Sequence, residues 1–80
     1  MKIPRDLNSY DLINLSKPYA YEISRQTGSH IRLTTLKESQ HHITAPHHNP
    51  IKIGTLSPIL GEIANHLNIP KQIFLQELFG

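Results

Sequence analysis

His30 and Arg32 are the residues of this 80-residue chain whose types and spacing best suit chemistry. Arginine gives a phosphate a fixed bidentate charge and stabilises further charge that develops there during a reaction. Histidine takes or gives a proton near neutral pH. Because RNA carries its own nucleophile, the 2′-hydroxyl, the pair predicts phosphodiester cleavage that needs neither a metal nor a protein nucleophile. Judged by spacing alone, each residue is more often an ordinary strand residue.

A short strand is expected to position the pair. Residues 27–29 predict a turn, because Gly28 tolerates the positive φ that tight turns often need. Residues 30–36 then alternate between polar and apolar side chains, which is the period of a half-buried strand. The polar residues, His30 and Arg32 among them, would project from an open face, and the apolar residues would face a core.

The first half of the chain predicts one helix and two strands. Asn8 or Ser9 caps a helix that runs to about Ser16 and is stopped by the Lys-Pro pair that follows. Residues 19–26 alternate as a strand, which forms a hairpin with the strand at 30–36.

The second half supplies a third strand and two helices. Residues 41–45 alternate as a strand, and two prolines place residues 46–50 in a loop. Thr55 is expected to cap the longest helix, with Pro58 in its first turn, and residues 70–80 hold a terminal helix. The apolar positions at helical spacing are Leu56, Ile59, Leu60, Ile63 and Leu67 in the long helix and Ile73, Phe74, Leu78 and Phe79 in the terminal one.

These elements predict an α+β fold in the order α-β-β-β-α-α, within a single domain over residues 1–80. The strands would form an antiparallel meander with the helices packed on one face. The other face would be open, and a protein must keep such a face polar or use it for binding. It would carry His30, Arg32 and Thr34, together with either His42 and Thr44 or their neighbours in the third strand.

Composition narrows the classes of function. A formal net charge of +2 permits nucleic-acid binding without requiring it. The absence of cysteine excludes disulfides, thiol catalysis and thiolate metal sites. Residues 1–6 form a short lead-in with no signal peptide, and no apolar run reaches membrane-spanning length, so we expect a cytoplasmic protein that does not contact a membrane. No phosphate-binding glycine loop is present, and we expect no cofactor.

The two pairs of adjacent histidines do not predict a metal site. His41 and His42 lie in a strand, where neighbouring side chains point to opposite faces and cannot easily share an ion. His47 and His48 lie in a loop, with no carboxylate or third histidine at ligand spacing nearby. His66 is most simply a favourable charge at a helix C-terminus.

A larger pattern covers most of the chain, from about residue 5 to residue 67. It consists of Gly28-Ser29-His30 before a basic strand, then HHITAPH at 41–47, then IKIGTL at 51–56 followed by Ile59 and Leu60. In this order and spacing the chain resembles the HicA (YcfA-like) toxins of bacterial type II toxin–antitoxin systems.

The resemblance implies a fold similar to double-stranded-RNA-binding domains and the activity of an mRNA interferase, an endoribonuclease that arrests translation. It also implies mRNA as substrate and a HicB-type antitoxin as the partner that masks the active histidine. His30 is then the catalytic residue. The residues expected to set its turn or to hold the RNA backbone are Arg25, Gly28, Ser29, Arg32, His42 and Lys52. Little base specificity is expected, since such domains read shape and phosphates.

One position departs from the family pattern, because many members carry a second histidine where Ile31 stands. If that second histidine is the essential one, this chain would bind RNA without cutting it. Strand parity favours His30, which faces the open side while Ile31 faces the core. Two other interpretations remain open: a non-catalytic RNA-binding module, and an interaction domain whose open face or strand edge docks a protein.

Overall fold

The computed structural model describes residues 3–80, and the first two residues of the predicted lead-in lie outside the described part. Within 3–80 the chain forms three α-helices and a three-stranded antiparallel sheet, which confirms the predicted α+β layout and the order α-β-β-β-α-α. The elements are α1 (Ser9–Ser16), β1 (Glu22–Gln26), β2 (His30–Thr35), β3 (His41–Pro46), α2 (Ile53–His66) and α3 (Lys71–Phe79).

Helix α1 begins where its capping residue predicts. The Asn8 side chain accepts a hydrogen bond from the backbone N–H of Asp11 at 2.9 Å, and the Asp11 carboxylate accepts from the backbone N–H of Asn8 at 3.0 Å. This reciprocal arrangement satisfies two backbone donors that a helix N-terminus otherwise leaves free. The predicted stop is correct for the α-helix, but residues Lys17–Tyr19 continue as a short 3₁₀ helix before Ala20 turns the chain with a φ of 67°.

The sheet has the strand order β1-β2-β3, with β2 in the centre. In β2 the predicted alternation is confirmed: Ile31, Leu33 and Thr35 are buried, while the residues between them are exposed or half-buried. Pro46, which the sequence predicts to lie in the following loop, pairs with His30 as the last residue of β3. An edge strand accommodates proline because one side of its backbone has no strand to bond.

Strand β1 is shorter than the sequence predicts, because residues 19–21 lie outside it. Tyr21 is buried immediately before the strand begins, as the alternation predicts for the core side. Ile23, assigned to the same side, is 46% exposed. The reason is that β1 is an edge strand, and the helices cover its core side incompletely.

Helix α2 begins earlier than the sequence predicts, so the prediction for its cap is wrong. Its N-cap is Lys52, which makes no capping hydrogen bond with its side chain. The backbone N–H groups of Thr55 and Leu56 both bond the carbonyl of Lys52, at 2.9 and 2.8 Å. Thr55 therefore lies in the first turn, and Pro58 lies in the second turn, where it cannot donate the usual bond to the carbonyl of Gly54.

The core lies between the helices and one face of the sheet. Its largest fully buried side chains come from every main element except β1: Leu12, Tyr21, Ile31, Leu33, Ile43, Ile51, Leu56, Leu60, Ile63 and Phe74. Helix α3 packs on this core through Phe74 and Leu75, whereas Ile73, predicted to be on its apolar side, is 48% exposed. The Tyr19 ring meets Phe74 edge-on, with ring centroids 5.1 Å apart.

Candidate functional site

The turn before β2 is built by a threonine side chain. The backbone N–H of Thr27 donates to the carbonyl of His30 at 2.9 Å, and the Thr27 hydroxyl oxygen accepts the backbone N–H of His30 at 3.0 Å. Gly28 does not have a positive φ, so the reason given for it from the sequence is wrong. A Cβ at Gly28 would meet no atom within 4 Å, which leaves the space beside His30 open.

His30 is the first residue of β2, and its side chain is exposed. Its Nδ1 lies 3.0 Å from the hydroxyl oxygen of Ser29, a hydrogen bond that orients the ring and leaves Nε2 as the nitrogen available to a ligand. The carbonyl of Ser29 also accepts the backbone N–H of His47 at 2.9 Å, which ties the turn to the end of β3. Ile31, by contrast, is only 1% exposed, as the alternation of side chains in a strand predicts.

Two arginines lie opposite each other beside His30. Arg25 of β1 pairs with Arg32 of β2, which in turn pairs with Thr44 of β3. Directly paired residues share a face of the sheet, and like charges placed opposite each other are destabilising. A phosphate between the two guanidinium groups would offset that repulsion, since arginine forms its strongest hydrogen bonds with such anions.

A β-bulge in β1 places Arg25 on the open face. The register shifts between Ile23 and Arg25, so that Ser24 and Arg25 together oppose Arg32. Strict alternation from the sequence would put Arg25 on the core side with Ile23, and no turn residue or glycine in the segment indicates the bulge. The bulge is the feature of this site that sequence reasoning missed.

A chain of hydrogen bonds crosses the same face. The hydroxyl oxygens of Ser24 and Thr34 are 2.7 Å apart, and Thr34 is 2.7 Å from Nδ1 of His42. Ser24 also donates to the carbonyl of Arg32 at 3.3 Å. His42 and Thr44 are exposed, which settles the alternative left open by the sequence in favour of these two residues.

His41 lies on the other side of β3 from His42. Its Nδ1 is 2.8 Å from the hydroxyl of Tyr21, and its ring stacks on His66 with centroids 4.4 Å apart. Burial, and then the neighbouring charge of His66, lower the pKa of His41, while Glu62 opposes that shift. Burial, with a smaller effect of Glu62, raises the pKa of Tyr21 to about 12.

His66 makes a specific contact beyond its position at the end of α2. Its Nε2 lies 2.9 Å from the carbonyl of Lys37 and 3.1 Å from that of Ser39, so this nitrogen carries a proton and donates to both. The side chain therefore fastens the loop between β2 and β3 to the helix. These contacts belong to the packing of the molecule rather than to the open face.

The remaining basic residue predicted for the interface is Lys52. It is exposed as the N-cap of α2, off the strands that carry the two arginines. Its part in RNA binding therefore stays a prediction. Residues 3–80 contain no group of three or more His, Cys, Asp or Glu side chains placed to hold a metal ion.

Two concavities lie away from His30 and the two arginines. One has a volume of about 280 Å³ and is lined by Asp6, Leu7, Asp11, Asn14, Leu15 and Phe79. Another, of about 570 Å³, lies beside the start of β1 and is lined by Ile13, Lys17, Ala20, Tyr21, Glu22 and Ile23. A small molecule usually binds in a concave site, and neither concavity includes His30, Arg25 or Arg32.

In the described part of the chain, the helices are too short or too polar to cross a membrane. Comparisons with family models, curated proteins and solved structures gave no match to this chain.

Proposed function

We propose that this chain is an RNA-cleaving toxin of the HicA (YcfA-like) type, with a fold similar to double-stranded-RNA-binding domains. It would act on mRNA in the cytoplasm until a HicB-type antitoxin covers its open face. The observation that carries the proposal is the exposed imidazole of His30 beside the opposed pair Arg25 and Arg32. The sequence pattern around Gly28-Ser29-His30 supports the same assignment independently.

In the proposed reaction, His30 takes the proton from a ribose 2′-hydroxyl, and the resulting oxygen attacks the adjacent phosphorus. The bond from phosphorus to the 5′-oxygen breaks and leaves a 2′,3′-cyclic phosphate. The departing 5′-oxygen takes a proton from the imidazolium or from water. Arg25 and Arg32 bind the non-bridging oxygens and stabilise the charge that develops on them. Ser29 keeps the imidazole oriented through its hydrogen bond to Nδ1.

The test is expression of the wild type and of His30→Ala, followed by assay of the purified proteins on RNA. Wild type is expected to arrest growth and to cleave RNA in the presence of a chelator. His30→Ala should lower the cleavage rate by at least about 100-fold, because general acid–base catalysis typically contributes that much. Cleavage is followed by separating the RNA fragments, and growth by optical density.

The matched control is His48→Ala, which removes an exposed histidine from the loop after β3. Its backbone carbonyl bonds the N–H of Ser9, a contact that the substitution keeps. This variant should cleave at the wild-type rate, and circular dichroism should show both variants folded. Undiminished toxicity and cleavage in folded His30→Ala would contradict the catalytic role.

A non-catalytic RNA-binding module is the second candidate, and the buried Ile31 favours it, since many HicA-like sequences carry a histidine there. The arginine pair would still hold phosphates in that case. This candidate predicts RNA binding that weakens steeply with salt, with no cleavage by the wild type under any condition.

A further inference from the structure

The hydrogen bonds that join Ser24, Thr34 and His42 form a single chain with a defined end. The end is the carbonyl oxygen of Arg32, which accepts the Ser24 hydroxyl at 3.3 Å. A carbonyl oxygen can only accept, and each hydroxyl has one proton to donate. With the Ser24 proton assigned to that carbonyl, each of the other hydrogen bonds in the chain has one direction.

Working back from that carbonyl gives the proton on each atom. The Ser24 hydroxyl donates its proton to the carbonyl of Arg32, so its oxygen accepts the hydroxyl proton of Thr34 across 2.7 Å. Because Thr34 donates its proton to Ser24, its own oxygen accepts from Nδ1–H of His42 across 2.7 Å. In neutral His42 the proton is on Nδ1, which leaves Nε2 as a hydrogen-bond acceptor.

His42 and Arg32 lie on the same face of the sheet, close enough for one ribose–phosphate chain to reach both. Thr34 pairs with His42, and Arg32 pairs with Thr44, so Arg32 and His42 are diagonal neighbours on one face. Such neighbours are separated by roughly 7–8 Å. His30 lies four residues before Thr34 on β2, a distance of about 13 Å along an extended strand. His42 and His30 would therefore contact different nucleotides of one bound ribose–phosphate chain.

We propose that His42 accepts a hydrogen bond from a ribose 2′-hydroxyl and so makes the open face prefer RNA to DNA. This inference rests on the proposed function, because it takes a ribose–phosphate polymer as the ligand. The arginines contact phosphates, which RNA and DNA share, and the 2′-hydroxyl is the group that separates the two polymers. Thr34 and Ser24 are positioning residues, which act by keeping the proton on Nδ1 of His42.

The experiment measures dissociation constants in a His30→Ala background, so that bound RNA is not cut. The probes are an RNA and a DNA oligonucleotide of the same sequence, and RNAs with one 2′-deoxy sugar moved along the chain. The pH is 8, above the ordinary range of histidine titration. RNA is expected to bind more tightly than DNA, with one deoxy position responsible for about a five- to tenfold loss, the worth of one hydrogen bond.

Two variants test the chain of hydrogen bonds separately. His42→Ala should lower the RNA-to-DNA affinity ratio by about five- to tenfold and should leave the affinity for DNA nearly unchanged. Thr34→Val should lower the same ratio, because Nδ1 of His42 loses its acceptor and the ring proton is free to move to Nε2. The matched control is Thr44→Val, which removes a hydroxyl from the same face but outside the chain, and the ratio should not change.

Three results would overturn the inference. An unchanged ratio in folded His42→Ala, with RNA still bound, would overturn it and leave the proposed function standing. An equal loss of RNA and DNA affinity would assign His42 to a phosphate contact instead. Failure of the parent to bind RNA at all would overturn this inference together with the proposed function.

Discussion

Adjacent histidines in β3 serve different purposes because the strand turns them to opposite faces. His42 is exposed and reaches Thr34 on the open face, whereas His41 packs between Tyr21 and His66. Alternation in the sequence predicts the opposite directions. It does not predict the partners of His41. Tyr21 and His66 lie 20 and 25 positions away along the chain, the first just before β1 and the second at the end of α2, and they meet His41 only in the folded molecule.

The environment of His41 makes stability depend on pH. Its pKa in the folded state is lowered by burial and by the charge of His66, while Glu62 acts in the opposite sense. The unfolded chain therefore binds a proton more readily, and the stabilising contribution is present above the ordinary histidine pKa of about 6.5 and lost as pH falls below it. The free energy of unfolding, measured with urea, is expected to be lower at pH 5 than at pH 8.

Two substitutions separate this effect from general acid sensitivity. His41→Gln removes the titrating group and should reduce the difference between pH 5 and pH 8. His48→Gln removes an exposed histidine that does not act on the pKa of His41, and it should leave that difference as in the wild type. An identical pH dependence in wild type and His41→Gln would show that His41 is not the group responsible.

At the scale of elements, the first two α-helices begin in different ways. Helix α1 has the capping box that its sequence predicts, with Asn8 and Asp11 bonding each other's backbone. Helix α2 starts at Ile53 without a side-chain cap, although threonine at position 55 looked like the capping residue. Sequence rules identify Thr55 as a residue able to cap a helix. In the structure the carbonyl of Lys52 accepts the backbone N–H groups of Thr55 and Leu56, so the helix begins before the threonine.

This difference predicts unequal effects of removing the two polar side chains. Asn8→Ala should lower the free energy of unfolding by about 1 kcal/mol, since it leaves a backbone donor at the start of α1 without its partner. Thr55→Ala should change it by less than about 0.5 kcal/mol, the usual range for an exposed position. Urea unfolding of both variants at pH 8 provides the comparison, and a larger cost for Thr55→Ala would contradict the assigned helix start.

At the scale of the molecule, the chain extends 32 × 29 × 18 Å, with helices on one side of the sheet and polar side chains on the other. The alternation in β2 and the apolar stripe of α2 predict which residues make the core, and Ile31, Leu33 and Leu56 are buried as expected. The alternation of side chains in a strand does not predict how far the core extends beneath an edge strand. For that reason Ile23, which the alternation places on the core side, is exposed in the structure.

Two leucines on either side of the end of β2 allow the contribution of this core to the free energy of unfolding to be measured. Leu33 is 0% exposed, and Leu36, three positions later, is 77% exposed. Leu33→Ala should lower the free energy of unfolding by about 2–5 kcal/mol, because it leaves a cavity that the surroundings fill only in part. Leu36→Ala, the same chemical change, should cost less than about 0.5 kcal/mol. Similar thermal midpoints for the two variants would be inconsistent with the described packing.

The bulge at Ser24 has a consequence for how copies of this chain meet in solution. The outer edges of the sheet belong to β1 and β3, and a regular, flat edge is a template on which another strand can add. The extra residue interrupts the even spacing of backbone donors and acceptors in β1, and Pro46 removes a donor at the end of β3. The irregularity that places Arg25 on the open face thus also makes the β1 edge a poorer template for strand addition.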